Sequence, residues 1–255
     1  MTSLVVEHLS VSYQTSVGTE ISALKDVNLQ IEFGEFVTII GPSGCGKSTL
    51  LHAMGGLLKP SSGTISLDTT VLTEPSPRDA AFVFQDYSLF PWKSVIENVG
   101  VGLKFAGGSA RDIQEKAAAQ LEFVGLSQFA DRYPSELSGG MQQRVAIARA
   151  LALEPKFLLM DEPFGALDEQ TRRNLGRDLT KILTDTGQGV ALITHSLEEA
   201  IFWADRIVVM SARPGRILEE IRVEAPRPRD LSYMTTPEFA ELRAKIFDLL
   251  EFQHA

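Results

Sequence analysis

The stretch Gly41-Pro42-Ser43-Gly44-Cys45-Gly46-Lys47-Ser48 decides the architecture expected for this chain. It fits the pattern G-x-x-x-x-G-K-[ST], in which a glycine-rich loop joins a strand to a helix. The apolar, β-branched run 36–40 precedes it, and residues 48–58 after it have helical character. A strand, a glycine turn and a helix N-terminus aim several backbone N–H groups at one point, which suits a polyphosphate. A chance glycine-rich turn is the alternative, and the strand and helix on either side argue against it.

Individual residues of this loop have separate expected roles. The glycines permit close backbone approach and positive φ angles, which a Cβ would block. We expect Lys47 to reach the β- and γ-phosphates and the Ser48 hydroxyl to ligate Mg²⁺. The next residue, Thr49, belongs to the same predicted nucleotide-binding set. We interpret Cys45 as a small spacer within the loop rather than as a nucleophile.

Composition limits the class of protein. The 255 residues are 44% hydrophobic and 22% charged, as expected of a globular chain with one or two domains. No apolar run approaches the roughly 18 residues of a membrane-spanning helix, and no secretory signal is evident, so any membrane role is expected to be peripheral. The single cysteine excludes an internal disulfide and is compatible with a reducing cytosol. A net charge of -9 argues against nucleic acid as a partner.

Strand and helix patterns alternate along most of the chain. Strands separated by helices predict a mostly parallel sheet that is covered on both faces. The helical stretch 86–150 is interpreted as a subdomain inserted into that α/β core. We predict strands at 4–13, 24–33, 36–40, 64–67, 80–84, 157–160, 189–193, 206–210 and 216–223, and helices at 93–105, 111–124, from 138 onward, and at 237–252.

Two acidic residues follow the apolar run 157–160. Carboxylates at the carboxyl end of a buried strand lie where α/β proteins bind ligands. We expect Asp161 to hold Mg²⁺ through water, together with Ser48. Glu162 is expected to orient and polarise the water that attacks the γ-phosphate. A solvated turn is the alternative interpretation, which the phosphate loop upstream disfavours.

A third motif, Leu137-Ser138-Gly139-Gly140-Met141-Gln142, makes a resemblance specific. With the phosphate loop and the acidic pair, it resembles the nucleotide-binding subunits of the ATP-binding cassette (ABC) transporters, whose signature LSGGQ precedes the acidic strand. Met141 stands where the family pattern has glutamine, which affects a side-chain contact to the nucleotide and leaves the serine and the glycines intact. Independently of the family, Ser138 can cap a helix whose N-terminal amides bind an anion.

The resemblance implies a fold and a division of the chain. The fold is that of an α/β P-loop NTPase of the ABC type, with a mixed or parallel RecA-like core, an N-terminal antiparallel β-subdomain and an inserted α-helical subdomain. The cassette would span 4–230, with the core and β-subdomain at 4–85 and 151–225 and the helical subdomain at 86–150. Residues 231–255 would form a C-terminal unit with an amphipathic helix.

The resemblance also assigns roles residue by residue. Tyr13 matches the aromatic residue that stacks on adenine, and Gln85 matches the glutamine that touches Mg²⁺ and the attacking water. Asp168 matches the loop that signals across a dimer, and His195 matches the histidine that contacts the γ-phosphate. Two subunits pack head to tail in this family, so each signature binds the ATP held by its partner. The implied catalytic set is Lys47, Gln85, Glu162 and His195, the metal set is Ser48, Gln85 and Asp161, and the nucleotide set adds Tyr13, residues 41–49, Ser138, Gly139, Gly140 and Asp168.

Function follows from the same resemblance. It implies an ATP- and Mg²⁺-dependent ATPase that energises an importer from the cytoplasmic face of the inner membrane. The implied partners are a second ATPase subunit, integral permease subunits and a periplasmic or lipid-anchored solute-binding protein. A cassette ATPase of DNA repair, chromosome organisation or translation is the alternative, but the chain lacks a long heptad-bearing insertion and a second cassette.

Four features indicate which branch of the ABC importers this chain resembles. The segments 211–217 and 226–229, the pair Pro91-Trp92 and Met141 resemble the branch that imports nitrate, sulfonates and taurine. Phe90 and Trp92 lie where a permease helix docks in the family, although burial in the core is the alternative for these aromatic residues. Ser196 stands where many relatives have aspartate, and we expect only a small effect on local hydrogen bonding.

Overall fold

The computed structural model describes residues 2–14 and 18–251. Residues 15–17 of the predicted cassette and 252–255 of the predicted C-terminal unit lie outside the described residues. The strands are β1 (Ser3–Gln14), β2 (Glu20–Glu32), β3 (Phe36–Ile40), β4 (Ser62–Leu67), β5 (Thr70–Val71), β6 (Ala80–Val83), β7 (Phe157–Asp161), β8 (Gly189–Ile193), β9 (Arg206–Met210) and β10 (Ile217–Arg222). The helices are α1 (Lys47–Met54), α2 (Val95–Phe105), α3 (Ala110–Phe123), α4 (Gly139–Leu151), α5 (Glu169–Thr186), α6 (Leu197–Trp203) and α7 (Pro237–Glu251), with 3-10 turns at Ser127–Phe129, Pro134–Glu136 and Leu231–Thr235.

A six-stranded sheet in the order β10-β9-β3-β8-β7-β6 forms the centre of the fold. Its neighbouring strands are parallel, except that β10 runs antiparallel to β9. Along β3, Phe36 and Ile40 pack into one hydrophobic core, and Val37 and Ile39 pack into another on the opposite face. Because both faces are buried, apolar and polar residues do not alternate along the strand, and its one polar residue, Thr38, is buried and donates to the carbonyl of Ala200 at 3.3 Å. The predicted mostly parallel sheet, covered on both faces, is confirmed.

A second sheet, in the order β2-β1-β4-β5, is antiparallel. Val6 of β1, Leu50 of α1 and Ile39 of β3 share one core, so α1 lies with both sheets in a common layer of apolar packing. The predicted N-terminal antiparallel sheet is therefore confirmed. β2 starts earlier than predicted because its pairing with β1 extends to Gln14 and Glu20.

Helices α2, α3 and α4 follow one another between β6 and β7. Val99, Leu121 and Val145, one from each helix, are fully buried in the same core. Serine caps set where these helices begin: Ser94 and Ser138 each accept a hydrogen bond from the backbone N–H three residues on. The helical segment is thus an insertion between β6 and β7, which are neighbouring strands of the central sheet.

Two helices, α5 and α6, have no counterpart in the sequence prediction. Most of α5 is polar, but Leu175, Leu179 and Leu183 recur every four residues and are buried against the sheet. That spacing was the available signal for an amphipathic helix. In the opposite sense, α1 is shorter than predicted, because it ends at Met54 and Gly55 follows as its C-cap.

The C-terminal helix α7 packs on its own chain, as its apolar stripe predicted. Phe239 and Ile246 are buried in the core that also contains α4 and α6, and Leu242 and Leu249 border it. The separation of residues 231–255 as a C-terminal unit remains a prediction, since α7 shares its core with α4 and α6.

The basic segment between β10 and α7 is tied to the protein interior. Arg227 donates from Nε and Nη2 to the two carboxylate oxygens of Asp205, at 2.7 and 2.6 Å, and its guanidinium lies 5.5 Å from the centroid of the Phe36 ring. Arg229 is buried and donates to backbone carbonyls in the last turn of α6, which such side chains commonly satisfy. These arginines are structural ties that hold the C-terminal segment against the sheet.

Replacing Arg227 by alanine should lower the free energy of unfolding by about 2–3 kcal/mol, because Asp205 then loses its bidentate partner. Arg222→Ala removes an exposed arginine nearby and should change it by no more than about 0.5 kcal/mol. Urea unfolding monitored by circular dichroism measures both variants. Equal effects of the two substitutions would show that Arg227 contributes only surface charge.

Candidate active site

The phosphate loop runs from the end of β3 into α1. Gly46 precedes the helix with φ 109°, a left-handed conformation that glycine adopts without strain. Lys47, the first helical residue, is buried, and its Nζ donates to the carbonyl oxygens of Gly41 at 2.9 Å and Pro42 at 3.0 Å. The loop therefore folds around its own ammonium group, which two carbonyl oxygens of the loop hold in place.

Cys45 lies within this loop as a buried spacer. Its side chain is only 1% exposed, and its Sγ is 3.9 Å from Nζ of Lys47. Burial raises the pKa of the Cys45 thiol, with the Lys47 charge opposing the shift. A thiol that is buried and protonated is a poor nucleophile, which supports the interpretation of Cys45 as a spacer.

A cavity of about 270 Å³ opens over the phosphate loop. Three residues predicted to act on the γ-phosphate, Gln85, Glu162 and His195, line it together with the loop. They come from the ends of three separate elements, β6, β7 and β8. The cavity is lined by Ser43, Gly44, Gly46, Lys47, Ser48, Thr49, Gln85, Glu162, His195 and Arg213.

Glu162 is the point of contact among these side chains. One carboxylate oxygen lies 2.6 Å from Nε2 of His195, and the other accepts a hydrogen bond from Nε2 of Gln85 at 3.3 Å. Glu162 has φ 48°, an uncommon angle for a residue with a side chain, and such angles concentrate at functional sites. The turn aims its carboxylate into the cavity, where it can accept a proton from a bound water molecule.

Asp161 meets a requirement for metal binding. It is 5% exposed, and its Oδ1 is buried with no hydrogen-bond partner among the described residues. A buried carboxylate oxygen without a partner is costly unless an ion or water completes it. Carboxylate, hydroxyl and amide oxygens form the hard donor set that Mg²⁺ prefers, so Asp161, Ser48 and Gln85 fit that ion.

No group of three or more His, Cys, Asp or Glu side chains in residues 2–14 and 18–251 is arranged to hold a metal by itself. A metal here would need oxygens from a bound phosphate as well. The site therefore fits a magnesium–nucleotide complex better than a permanently bound ion.

Tyr13, the predicted adenine contact, lies at the end of β1 and is 45% exposed. Its hydroxyl is 3.4 Å from Oγ1 of Thr49 in the first turn of α1. The ring is therefore near the phosphate loop but outside the cavity that holds Glu162 and His195. This position is compatible with an adenine at one end of the nucleotide and hydrolysis at the other.

The signature residues do not line that cavity. Ser138 caps α4 and accepts from the backbone N–H of Met141 at 3.4 Å, so the predicted cap is present. Next to it, a Cβ on Gly139 would lie 2.8 Å from the hydroxyl oxygen of Tyr87, so a larger residue there would have to displace the end of the Tyr87 side chain. The amides at this helix N-terminus lie outside the cavity at Lys47, and their role as a second anion site stays a prediction.

Asp168 also lies outside the cavity. It is exposed and caps α5 by accepting from the backbone N–H of Thr171 at 3.0 Å. Hydrogen bonding with the Thr171 side chain, followed by the bond from the Thr171 backbone N–H, lowers the pKa of Asp168. Within one chain it is thus a helix cap, and a nucleotide contact through this loop would have to be made to a second subunit.

Arg213 is the cavity residue to which the sequence analysis gave no role. It follows β9, which lies beside β3 in parallel, so the loops after these two strands share one edge of the sheet. The signal was present in the basic segment 211–217, which was read only as a mark of a branch of the family.

The phosphate loop, the acidic strand end, the glutamine and the histidine together define a P-loop ATPase site. A family model described as "ABC transporter" matches residues 24–165, more than half of the 255 residues. The chain belongs to the ABC transporter family and is one of its ATP-hydrolysing cassettes.

Two curated relatives and one solved structure show which members of the family this chain is similar to. The taurine import ATP-binding protein TauB of Rhizobium johnstonii is 48% identical over 97% of this chain and 96% of its own length. The nitrate import ATP-binding protein NrtD of Synechocystis is 48% identical over 89% of this chain and 88% of its own. The dimeric ATP-binding cassette MJ0796, solved in a post-hydrolysis state with ADP and Pi, has a TM-score of 0.80 at 34% identity and covers 88% of this chain and 100% of that one.

These similarities bear on the sequence expectations. The resemblance to ABC ATPases, with its P-loop fold and its nitrate and taurine branch, is confirmed. The relatives are transport subunits, so the DNA-repair and translation alternatives gain no support. The roles of individual site residues remain predictions.

Proposed function

We propose that this chain is the ATPase subunit of an importer for a small solute, in the class of taurine, other sulfonates or nitrate. The observation that carries the proposal is the convergence of Gln85, Glu162 and His195 on one cavity with the phosphate loop. A binding-only module would not need a carboxylate held between an amide and an imidazole at that position.

Each cavity residue has a defined part in hydrolysis. Lys47 leaves the loop carbonyls and pairs with the phosphate oxygens, which offer a full negative charge in exchange for neutral acceptors. Glu162 accepts the proton of the attacking water, and His195 holds that carboxylate and faces the terminal phosphate. Ser48, Asp161 and Gln85 would hold Mg²⁺, which would neutralise the negative charge that develops on the phosphate.

One chain supplies only part of the nucleotide site, because the cap at Ser138 lies outside the cavity at Lys47. Two copies packed head to tail would bring each signature to the phosphate bound by the other. The dimeric MJ0796 cassette supports such an arrangement. ATP that contacts both copies binds the closed dimer better than the open one, so binding and hydrolysis alternate the two states.

The segment after Gln85 provides a surface for the membrane partner. Trp92 is 71% exposed and pairs with Phe90 at 5.6 Å between ring centroids, just before α2. Phe90 is half-buried, so the surface here is an exposed tryptophan that rests on a partly buried phenylalanine. An exposed tryptophan near Gln85 suits an apolar helix of a permease subunit. Across residues 2–14 and 18–251, the helices are too short or too polar to span a bilayer. We therefore propose peripheral attachment at the cytoplasmic face, with a solute-binding protein on the opposite side.

The Glu162→Gln variant should bind ATP and form the dimer while hydrolysis falls by at least about 100-fold, because the amide cannot accept the proton. Nucleotide binding is measured by fluorescence titration, dimer formation by size exclusion with ATP, and turnover by phosphate release. Hydrolysis close to the wild-type rate would remove Glu162 from this role. A chain that binds no ATP would refute the proposed function itself.

Trp92→Ala should leave the ATPase rate of the isolated subunit within about twofold but reduce capture of the proposed permease partner by about tenfold. Phe105→Ala is the matched control, since Phe105 is 84% exposed at the far end of α2 and should change neither property. Pull-down from detergent-solubilised membranes that contain the permease compares the two. Equal capture by both variants would exclude Trp92 from the docking surface.

A further inference from the structure

The turn that carries His195 is held from both sides by one buried network. Oγ1 of Thr194 donates to a carboxylate oxygen of Glu199 at 2.5 Å and accepts from the backbone N–H of Ser196 at 3.1 Å. The backbone N–H of Glu199 in turn donates to Oγ of Ser196 at 3.2 Å. The residues directly before and after His195 are thus both fixed through Glu199.

Glu199 is an unusual group to bury for capping alone. Its side chain is 12% exposed, and burial raises its pKa, against the opposing effects of the Thr194 hydrogen bond and the Arg172 charge. A neutral side chain would make the same bond to Thr194 without the cost of desolvating a carboxylate. The bond to Thr194 therefore does not explain the negative charge of Glu199, and its pairing with Arg172 is the remaining explanation.

Arg172 connects this network to the loop that ends in Asp168. Its Nη2 donates to the carbonyl oxygen of Leu167 at 3.1 Å, and its Nε lies 3.6 Å from the second carboxylate oxygen of Glu199. That Nε is buried with no hydrogen-bond partner among the described residues, so the pair stands just beyond hydrogen-bond distance. A cavity of about 510 Å³ beside α5 and α6 gives these side chains room to move.

We propose that Arg172 and Glu199 are positioning residues that connect the Asp168 loop to the His195 turn. Engagement of that loop by a second subunit would displace Leu167, draw the guanidinium with it and set the orientation of His195 against Glu162. This inference rests on the proposed function, since it concerns the rate of ATP hydrolysis in a dimer.

The test is a double-mutant cycle on hydrolysis. Glu199→Gln keeps an acceptor for Thr194 and removes the charge, and Arg172→Ala removes the link to Leu167. Each should lower kcat about tenfold with KM for ATP within about twofold, and the double variant should be no slower than the slower single variant. Glu198→Gln is the control: Glu198 directly precedes Glu199 and pairs with Arg243, so this variant should leave kcat within about twofold.

Other results overturn the proposal. Independent, multiplicative losses in kcat, an unchanged kcat, or a loss confined to KM would each show that the pair does not position His195. Arg172→Lys should recover less than half of the lost kcat, because an ammonium cannot bridge Leu167 and Glu199 as a guanidinium does. ATP-dependent dimerisation of each variant, tested with Glu162→Gln, should be intact. If the Glu162→Gln parent itself fails to dimerise, the proposed function fails and not this pair.

A separate observation concerns Arg213. The backbone of its loop is pinned: the Gly215 N–H donates to the Ala23 carbonyl at 2.8 Å, and the Ser211 N–H donates to the Arg216 carbonyl at 2.8 Å. Within residues 2–14 and 18–251, the exposed Arg213 side chain has no ion pair or hydrogen bond. A fixed loop thus presents a cation without a partner to the cavity over the phosphate loop.

We infer that Arg213 binds the terminal phosphate of the nucleotide. It shares the cavity with Glu162 and His195, at the end where hydrolysis is proposed, whereas Tyr13 at the base end does not line it. This inference also rests on the proposed function. The phosphate's negative charge would complete an arginine that the protein leaves unpaired.

Arg213→Ala should raise the Kd for ATP about tenfold and the Kd for ADP by less than about twofold, measured in the Glu162→Gln background. Arg216→Ala is the matched control, because it removes the same charge from the same loop at a residue that faces Asp26 and does not line the cavity. Equal weakening of ATP and ADP, or equal effects of the two substitutions, would overturn the assignment. If the parent binds neither nucleotide, the proposed function is refuted instead.

Discussion

The active site depends on the parallel alignment of β3, β8 and β7, whose carboxyl ends lie side by side. β3 delivers the phosphate loop, β8 delivers His195, and β7 ends in Asp161 and Glu162. The ladder continues past the strands, because the Glu162 N–H donates to the carbonyl of Ile193 at 3.0 Å. Residues that are far apart in sequence therefore come within hydrogen-bonding distance of one another.

This geometry is preorganised by neighbours that do no chemistry. The αL backbone of Glu162 is held by the pairing of β7 with β8, and such a conformation costs of order 1–3 kcal/mol unless its surroundings enforce it. Lys47 is meanwhile satisfied by carbonyls of its own loop. The loop can therefore keep its shape between nucleotides, and phosphate oxygens replace acceptors that the lysine already has.

The N-terminus of α4 is not part of the cavity that Lys47 lines, and the segment after Gln85 packs against this helix. Arg149 of α4 donates to the backbone carbonyls of Ser88 at 2.6 Å and Tyr87 at 2.9 Å, with burial lowering the pKa of its guanidinium. The helix that follows Ser138 and the segment that leads to Trp92 are thus joined by the two hydrogen bonds of one guanidinium.

The sequence by itself determined the class of site. Residues 41–48 between an apolar strand and a helix, and a second strand ending in Asp161 and Glu162, are local patterns whose physical meaning does not depend on the rest of the chain. It also determined that both faces of the central sheet are covered, since runs such as 36–40 show no alternation of apolar and polar residues. The helix start at Ser138 followed from capping chemistry, which is local as well.

Only the tertiary structure decided how these parts meet. α5 was not predicted, because only a narrow stripe of leucines on this polar helix is buried. Local sequence also could not show that Arg227, in a basic linker, pairs with the distant Asp205. The pairing of Arg172 with Glu199 and the entry of Arg213 into the cavity join segments whose spacing in sequence carries no signal. Caps and phosphate loops depend on residues that are adjacent in sequence. These contacts depend instead on which strands lie side by side, and therefore on which loops share an edge of the sheet.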